Sequence, residues 1–312
     1  MTLPFVSVIV PTQGVRLALL THTLRSLVQQ SYPRDSYEIV VVNDGGDERV
    51  EAIVVDLAGA SHAPTMRYVH KIGGGVNSAR NVGIFGAKGD PVVLTDDDVE
   101  APSEWLKALI AGMGRHPEAG CGGGPVLLRL EGKAPRFCDE HSLDIGHVDH
   151  GTQECVLDRF LLGANLAIQR VALERAGGFD ERVSSGSGAD WEWQRRFLAN
   201  DGSILYIPDA WLWHRRTKAM ITVRRLVSDR FVKAFKSVLF TRMGGANLSM
   251  RDELRRLRAH IAHAVRARCT SGLIEAGFAL GRVLGIALDR VGLHPGIRGA
   301  QGLSSSERSR GK

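Results

Sequence analysis

The stretch VVLTDDDV, residues 92–99, sets three carboxylates, Asp96, Asp97 and Asp98, directly after an apolar, mostly β-branched run. Neighbouring carboxylates repel one another and need a counter-charge. A divalent cation can supply it. Oxygen-rich sites suit Mg²⁺ or Mn²⁺, which keep positions open for phosphate oxygens. On an extended segment alternate side chains share a face, so Asp96 and Asp98 are expected to converge while Asp97 points away. The same triplet would also serve as a solvated acidic loop capping a helix at 102–112.

The elements that must hold these carboxylates alternate through the first hundred residues. FVSVIVPT (5–12), YEIVVVNDGG (37–46), MRYVHK (66–71) and PVVLT (91–95) read as strands, and THTLRSLVQQS (21–31), ERVEAIVVDLA (48–58) and NSARNVGIFGA (77–87) as helices. Near-continuous apolar strands between helices imply a mostly parallel α/β sheet covered on both faces. Ligands of such sheets bind beyond the carboxyl ends of the strands. Thr12, Asp44 and the aspartate triplet stand at those ends and should face one crevice. From Cys121 to His214 the chain is less regular and rich in glycine. Helical patterns follow at 221–240, 251–268 and 272–293, and the polar, Gly/Ser-rich end at 299–312 reads as a disordered tail.

A chain of 312 residues fits one large domain, or one domain with an appendage. The start, MTLPFVSVIVPT, reads as a strand rather than a secretory signal. No charge-free apolar run reaches the length of a membrane span. Cys121, Cys138, Cys155 and Cys269 are scattered, with no C-x-x-C pair, which argues against a disulfide framework or structural zinc and for a reducing cytoplasm. The net charge of +6 is uneven: residues 215–268 carry fifteen Lys/Arg against three Asp/Glu, a balance of +12, so the remainder is mildly acidic.

The ordered set VSVIVPT, EIVVVNDGG, GGVNSARNVGI, VVLTDDDV, LLGANLAIQR, GGFDE, GADWEWQRR and IPDAWLWH resembles the family 2 glycosyltransferases, over about Val6 to His214. The resemblance implies the GT-A fold, a Rossmann-like, mostly parallel sheet flanked by helices, here with a C-terminal helical extension. It implies that Pro11, Thr12 and Asp44 line the nucleotide pocket and that Arg80 lies beside the nucleotide. Asp96 and Asp98 become the D-x-D metal and ribose element, His214 completes the metal site, and Asp190 is the catalytic base. Asp97 and Asn165 join the nucleotide-sugar contacts.

Elementary chemistry agrees with those roles. A metal acting as a Lewis acid can screen the diphosphate as the sugar–phosphate bond breaks. A positioned carboxylate can take the proton of an attacking hydroxyl. Asp190 starts a predicted helix, whose dipole favours the ionised form, so a neighbouring group or partial burial is expected to restore its basicity. Plainer roles stand beside each: helix capping for Asp190, a core or surface histidine for His214, the Asn43-Asp44-Gly45-Gly46 turn for Asp44, a surface charge for Arg80, a tight turn for Gly163-Ala164-Asn165. Of Trp191, Trp193, Trp211 and Trp213, one is expected to stack on sugar and the rest to pack the core. GGGV at 73–76 lacks the Lys-Ser/Thr of a phosphate loop and reads as a connection. Gln13 and Gly14 replace the aromatic-Asn pair that often follows Pro-Thr in the family, and the Q-x-x-R-W signature of processive synthases is absent.

These readings converge on a metal-dependent, inverting, non-processive enzyme with Mn²⁺ or Mg²⁺. It would move a sugar from a nucleoside-diphosphate donor, UDP-sugar by default, to a glycan, lipid-linked or small-molecule hydroxyl acceptor. The expected organisation is a catalytic domain at 1–215, divided into a nucleotide half (1–118) and an acceptor half (119–215), a basic helical region at 216–298, and the tail. The basic segment 216–268 suggests peripheral contact with an anionic membrane on its cytoplasmic face, and no specific nucleic-acid partner is expected. The alternatives are a sugar nucleotidyltransferase and a catalytically inactive binder of nucleotide-sugar or glycan.

Overall fold

Seven-residue, mostly apolar runs form the first two strands, β1 (Val6–Thr12) and β2 (Tyr37–Asn43), and every residue of both is buried. The computed structural model describes residues 3–133, 135, 146–183, 188–243 and 247–293, so the expected tail at 299–312 lies outside the described residues. Between and after these strands come α1 (Leu17–Val28), α2 (Arg49–Ala58), β3 (Thr65–His70), α3 (Val76–Gly86) and β4 (Val92–Thr95). Side chains alternate across the sheet. Val8 and Val10 join a core with Leu20 and Leu24 of α1 and Val50 of α2. Ile9, Val40 and Val42 join a second core with Ala79 and Ile84 of α3. The sheet is thus covered on both faces, as the runs predicted. Gly83 lets α3 lie against it, since a Cβ there would come within 2.3 Å of Ile9 Cγ2.

The chain continues through β5 (Val99–Glu100), α4 (Trp105–Arg115), β6 (Cys121–Gly123), β7 (Val126–Glu131), β8 (Cys155–Leu157) and β9 (Asn165–Ile168). Then come α5 (Arg170–Ala176), α6 (Ala189–Leu198), β10 (Ile204–Tyr206) and β11 (Leu212–Thr217). The main sheet runs β3-β2-β1-β4-β9-β6-β10-β8. β1 to β4 are parallel, and β9 is antiparallel to β4 and β6. A smaller sheet, β5-β11-β7, positions the site. β5 begins directly after Asp98, and its antiparallel register sets His214 of β11 opposite Val99. The Arg215 amide donates to the Asp98 carbonyl at 2.8 Å, which fixes that approach.

The chain divides into two compact units. The first comprises Met1–Ala134, Ser142–Asp180 and Asp190–Ile221, and the second Pro135–His141, Glu181–Ala189 and Thr222–Lys312. The second contains α7 (Val223–Met243), α8 (Met250–Ala267) and α9 (Thr270–Arg290). Ser249 caps α8 by accepting from the Asp252 amide, as a helix N-terminus requires. Small residues set the packing of α9. A Cβ at Gly281 would fall 2.3 Å from the Phe231 carbonyl of α7, and one at Gly272 would fall 2.8 Å from the His260 carbonyl of α8. By length and composition α9 could cross a membrane, although its apolar run is interrupted by charge. Cys269, before α9, is disulfide-bonded, against the expectation from scattered cysteines, while Cys121 and Cys155 are free.

Candidate active site

Asp96, Asp98 and His214 each offer a donor atom, all within 4.8 Å of one another. Two carboxylates and an imidazole are a donor set that suits a transition metal such as Mn²⁺ better than Mg²⁺, so the residues fit the ion expected from the sequence. His214 Nε2 lies 2.9 Å from Asp98 Oδ1, and its Nδ1 lies 2.9 Å from the Gly146 carbonyl. Gly146 is required there: its φ is +88° and a Cβ would sit 2.5 Å from His214 Nδ1. Asp98 Oδ2 accepts from Arg16 Nη1 and from Arg216 Nη1, each at 2.7 Å.

Asp97 lies outside that donor set. It is buried, accepts from Thr12 Oγ1 at 2.7 Å, and is paired with Arg16. The counter-charge sought for the triplet is therefore partly guanidinium. Sequence reading missed both arginines. Arg16 stands four residues after Thr12, just beyond the motif VSVIVPT, and Arg216 falls within the count of C-terminal charge, although its alternation with His214 along one strand places both on one face.

Arg80 links the Asp96–Asp98–His214 cluster to Asp190. Its side chain is buried, Nη1 donates to Asp190 Oδ1 at 3.1 Å, and Nη2 lies 3.5 Å from Asp96 Oδ1. Its guanidinium also covers the Phe179 ring, 5.4 Å from the centroid. Asp190, near the start of α6, accepts a second bond from the Gly163 amide at 2.9 Å. Gly163 is needed for space, since a Cβ would fall 2.7 Å from Arg80 Nη2 and 3.0 Å from Asp190 Cγ. Asp190 therefore does more than cap α6, and Arg80 is no surface charge.

Electrostatics correct one expectation. Burial alone would raise the Asp190 carboxyl above its ordinary range. The Arg80 charge and the Gly163 amide outweigh burial and hold it below. No environment compensates the helix dipole by raising basicity. Burial likewise acts upward on Asp98, but His214, Arg216 and Arg16 together hold it far below the usual carboxylate range. For Asp97 burial prevails over Arg16 and Thr12, and its carboxyl is raised.

Pro11, Thr12 and Asp44 stand together at the ends of β1 and β2, where the Asp44 amide donates to the Thr12 carbonyl at 2.8 Å. Asp44 accepts from Lys71 Nζ at 3.1 Å and from the Gly75 amide at 2.7 Å. GGGV is thus a connection whose last glycine, at φ +83°, turns its N–H onto Asp44. Asn165 is not brought to the cluster. Its side chain is wholly buried, accepts from Trp105 Nε1 at 3.0 Å, and donates to the carbonyls of Pro125 and Ala210. It ties β9 to its neighbours and has no donor left for a sugar. Among the tryptophans, Trp193 packs the core between Phe179 and Phe197. Trp191, next to Asp190, is 40% exposed and stacks on Phe160.

Residues 7–173 match the family description "Glycosyl transferase family 2". The chain belongs to that family. Over 178 residues it is 26% identical to the glucosyl-dolichyl phosphate glucuronosyltransferase of Haloferax volcanii, covering 56% of each chain. Over 268 residues it is 27% identical to the validoxylamine A glucosyltransferase of Streptomyces hygroscopicus, covering 76% of this chain and 62% of the relative. The chain thus spans little more than half the length of these curated relatives. A mannosyltransferase of Pyrobaculum calidifontis, solved with GDP-Man and Mn²⁺, superposes with a TM-score of 0.58 at 20% identity, over 94% of this chain and 80% of that one. GalNAc-T7, solved with UDP, GalNAc and Mn²⁺, gives 0.52 at 17% identity over 69% of this chain and 43% of that one. These likenesses establish the GT-A fold for this family 2 chain, with its C-terminal helices.

Proposed function

We propose that this chain is an inverting, non-processive, metal-dependent glycosyltransferase. It moves a sugar from a nucleoside-diphosphate donor, UDP-sugar by default, to a hydroxyl acceptor. The observation that carries the reading is the continuous chain Asp190–Arg80–Asp96, which couples a partly exposed carboxylate to the Asp96–Asp98–His214 donor set. Asp96, Asp98 and His214 would hold Mn²⁺, or Mg²⁺ less well, and the ion would screen the diphosphate charge. Structural relatives solved with a nucleotide or nucleotide-sugar and Mn²⁺ support the choice of ion and donor class.

Asp190 accepts the proton of the acceptor hydroxyl. Its low basicity means that it stays ionised at neutral pH and draws the proton only as the new bond forms. Thr12 and Asp44 contribute to the pocket for base and ribose, and exposed Trp191 offers a face for the acceptor sugar. The acceptor is a glycan, a lipid-linked sugar or a small metabolite; a relative named for a dolichyl phosphate substrate favours the lipid-linked class. Family membership favours sugar transfer over nucleotidyl transfer.

The test is calorimetric titration of UDP into the whole chain with Mn²⁺ and with chelator, followed by a donor panel scored by nucleotide release. Mn²⁺-dependent UDP binding and turnover of one donor are expected. Equal binding with chelator, or no turnover of any donor with glycan and lipid-phosphate acceptors, would overturn the reading.

A further inference from the structure

The second unit carries exposed apolar side chains on two of its helices. On α8, Leu254, Ile261 and Val265 are exposed, Val265 by 73%, and on α9 so are Leu273, Leu280 and Leu284. Both sets are spaced by seven and four residues, which places each on a single stripe of its helix.

The packing between the two helices shows where these stripes lie. The helices run antiparallel: Gly272 approaches His260 and Ala264, and Arg282 pairs with Glu253 at 3.7 Å. On α8 the contact line is therefore Glu253, His260 and Ala264, and each exposed apolar residue is the next one along. That is about 100° round the axis. On α9 Leu273 and Leu280 likewise follow Gly272 and buried Ala279. Equal offsets in an antiparallel pair bring both stripes to the same side. The result is one continuous apolar face.

The opposite side of the same layer is polar and internally paired. Arg230 bonds Glu275 at 2.6 Å, and the guanidinia of Arg230 and Arg282 lie over the Phe278 ring at 4.6 and 5.3 Å. The two sides of the layer are therefore chemically distinct. The margin of the apolar face is cationic. Arg251, Arg258 and Arg266 of α8 are exposed and make no ion pair among the described residues.

We infer that the α8–α9 face docks in the plane of an anionic lipid surface, with its leucines among the acyl chains and the α8 arginines at the phosphates. An apolar stripe bordered by arginine is the pattern of an interfacial helix. Charge disfavours a second copy of this chain docked α8 on α8, because that twofold contact would set like-charged arginine margins against each other. The ion pairs of Glu275 with Arg230 and of Arg282 with Glu253, and the glycine seam against α7, decide against α9 crossing the bilayer alone. The inference is independent of the donor reading.

The experiment is co-sedimentation of the whole chain with phosphatidylcholine vesicles and with equimolar phosphatidylcholine–phosphatidylglycerol vesicles, at low and high salt. The wild type, Leu280→Glu/Leu284→Glu and Leu254→Glu/Ile261→Glu are compared. Binding only to anionic vesicles is expected, weakened by salt and weakened more than about tenfold in each double variant. Thermal unfolding and Mn²⁺–UDP titration of the same preparations should match the wild type, which separates loss of docking from loss of fold. Equal binding to neutral and anionic vesicles, undiminished binding of the variants, or no binding by the wild type would overturn the inference. So would a wild-type dimer that the variants dissociate and that ignores vesicles.

Discussion

The two units depart from the usual partition of polar and apolar groups in opposite ways. The first draws charge inward: Asp98 is met by His214, Arg16 and Arg216, and Arg80 is buried between Asp96 and Asp190. The second leaves leucines outward and pairs its charges on the other side of the helix layer. Buried charge is costly unless paired, and an exposed apolar stripe marks a surface for another phase or partner. The first arrangement suits a charged ligand and the second an apolar one. Not every buried carboxylate of the first unit belongs to a site. Glu38 is wholly buried and accepts from Ser7 Oγ at 2.6 Å, the Lys88 amide at 2.9 Å and Arg67 at 3.1 Å. Its partners are a hydroxyl, a backbone amide and a guanidinium, and it serves the fold.

The largest effect expected is at Asp190. Asp190→Asn should leave Mn²⁺-dependent UDP binding intact and lower transfer by roughly 10²–10⁴-fold. The carboxyl lies below its ordinary range, so the wild-type rate should hold as pH falls to about 5. An acid limb near neutrality that persists in Asp190→Asn would place the base elsewhere.

Next in size, Asp98→Ala or His214→Ala should weaken Mn²⁺-dependent UDP binding by about tenfold or more, read by calorimetry. Asp98→Ala also leaves two guanidinia facing each other. If both variants bind UDP with Mn²⁺ as the wild type does, the inward charge is structural only, and the first unit's cluster is no different in kind from Glu38.

Glu38 provides the contrast. Glu38→Gln should lower stability at neutral pH by roughly 1–3 kcal/mol and leave transfer unchanged per folded molecule. Burial acts to raise the Glu38 carboxyl, but Ser7, the Lys88 amide and Arg67 prevail and lower it. A depressed carboxyl contributes stability that is full above its unfolded value, about 4.3, and lost as pH falls through the folded one. Denaturation of wild type and variant should therefore converge at low pH. A difference that grows on acidification would reverse the sign.

The smallest effect concerns the α8 margin. Arg258→Ala and Arg266→Ala should each weaken anionic-vesicle binding by about 1 kcal/mol, roughly fivefold, without altering UDP titration. A change in UDP binding instead would tie these arginines to the first unit's chemistry and erase the contrast.

Much of the first unit is legible in the chain because local rules dominate there. The β-branched runs at β1, β2 and β4 can only be buried strands, the intervening periodicities are helices, and the turn residues mark the strand ends where Asp44 and the aspartates stand. The ordered motifs carried the family and the convergence of Asp96, Asp98 and His214. Three things were decided by tertiary structure alone. Asn165 went inward because Trp105, Pro125 and Ala210 take all its hydrogen-bonding capacity. Asp190 lost basicity rather than gaining it because Arg80, a hundred and ten residues earlier, was folded against it. Arg16 and Arg216 became partners of Asp98 because the β5–β11 register and the loop after β1 converge on one carboxylate. Sequence determines period and residue type, which set elements and strand ends; which charges neutralise which depends on distances of a few ångströms between segments far apart in the chain, and Coulomb energy is steep on that scale.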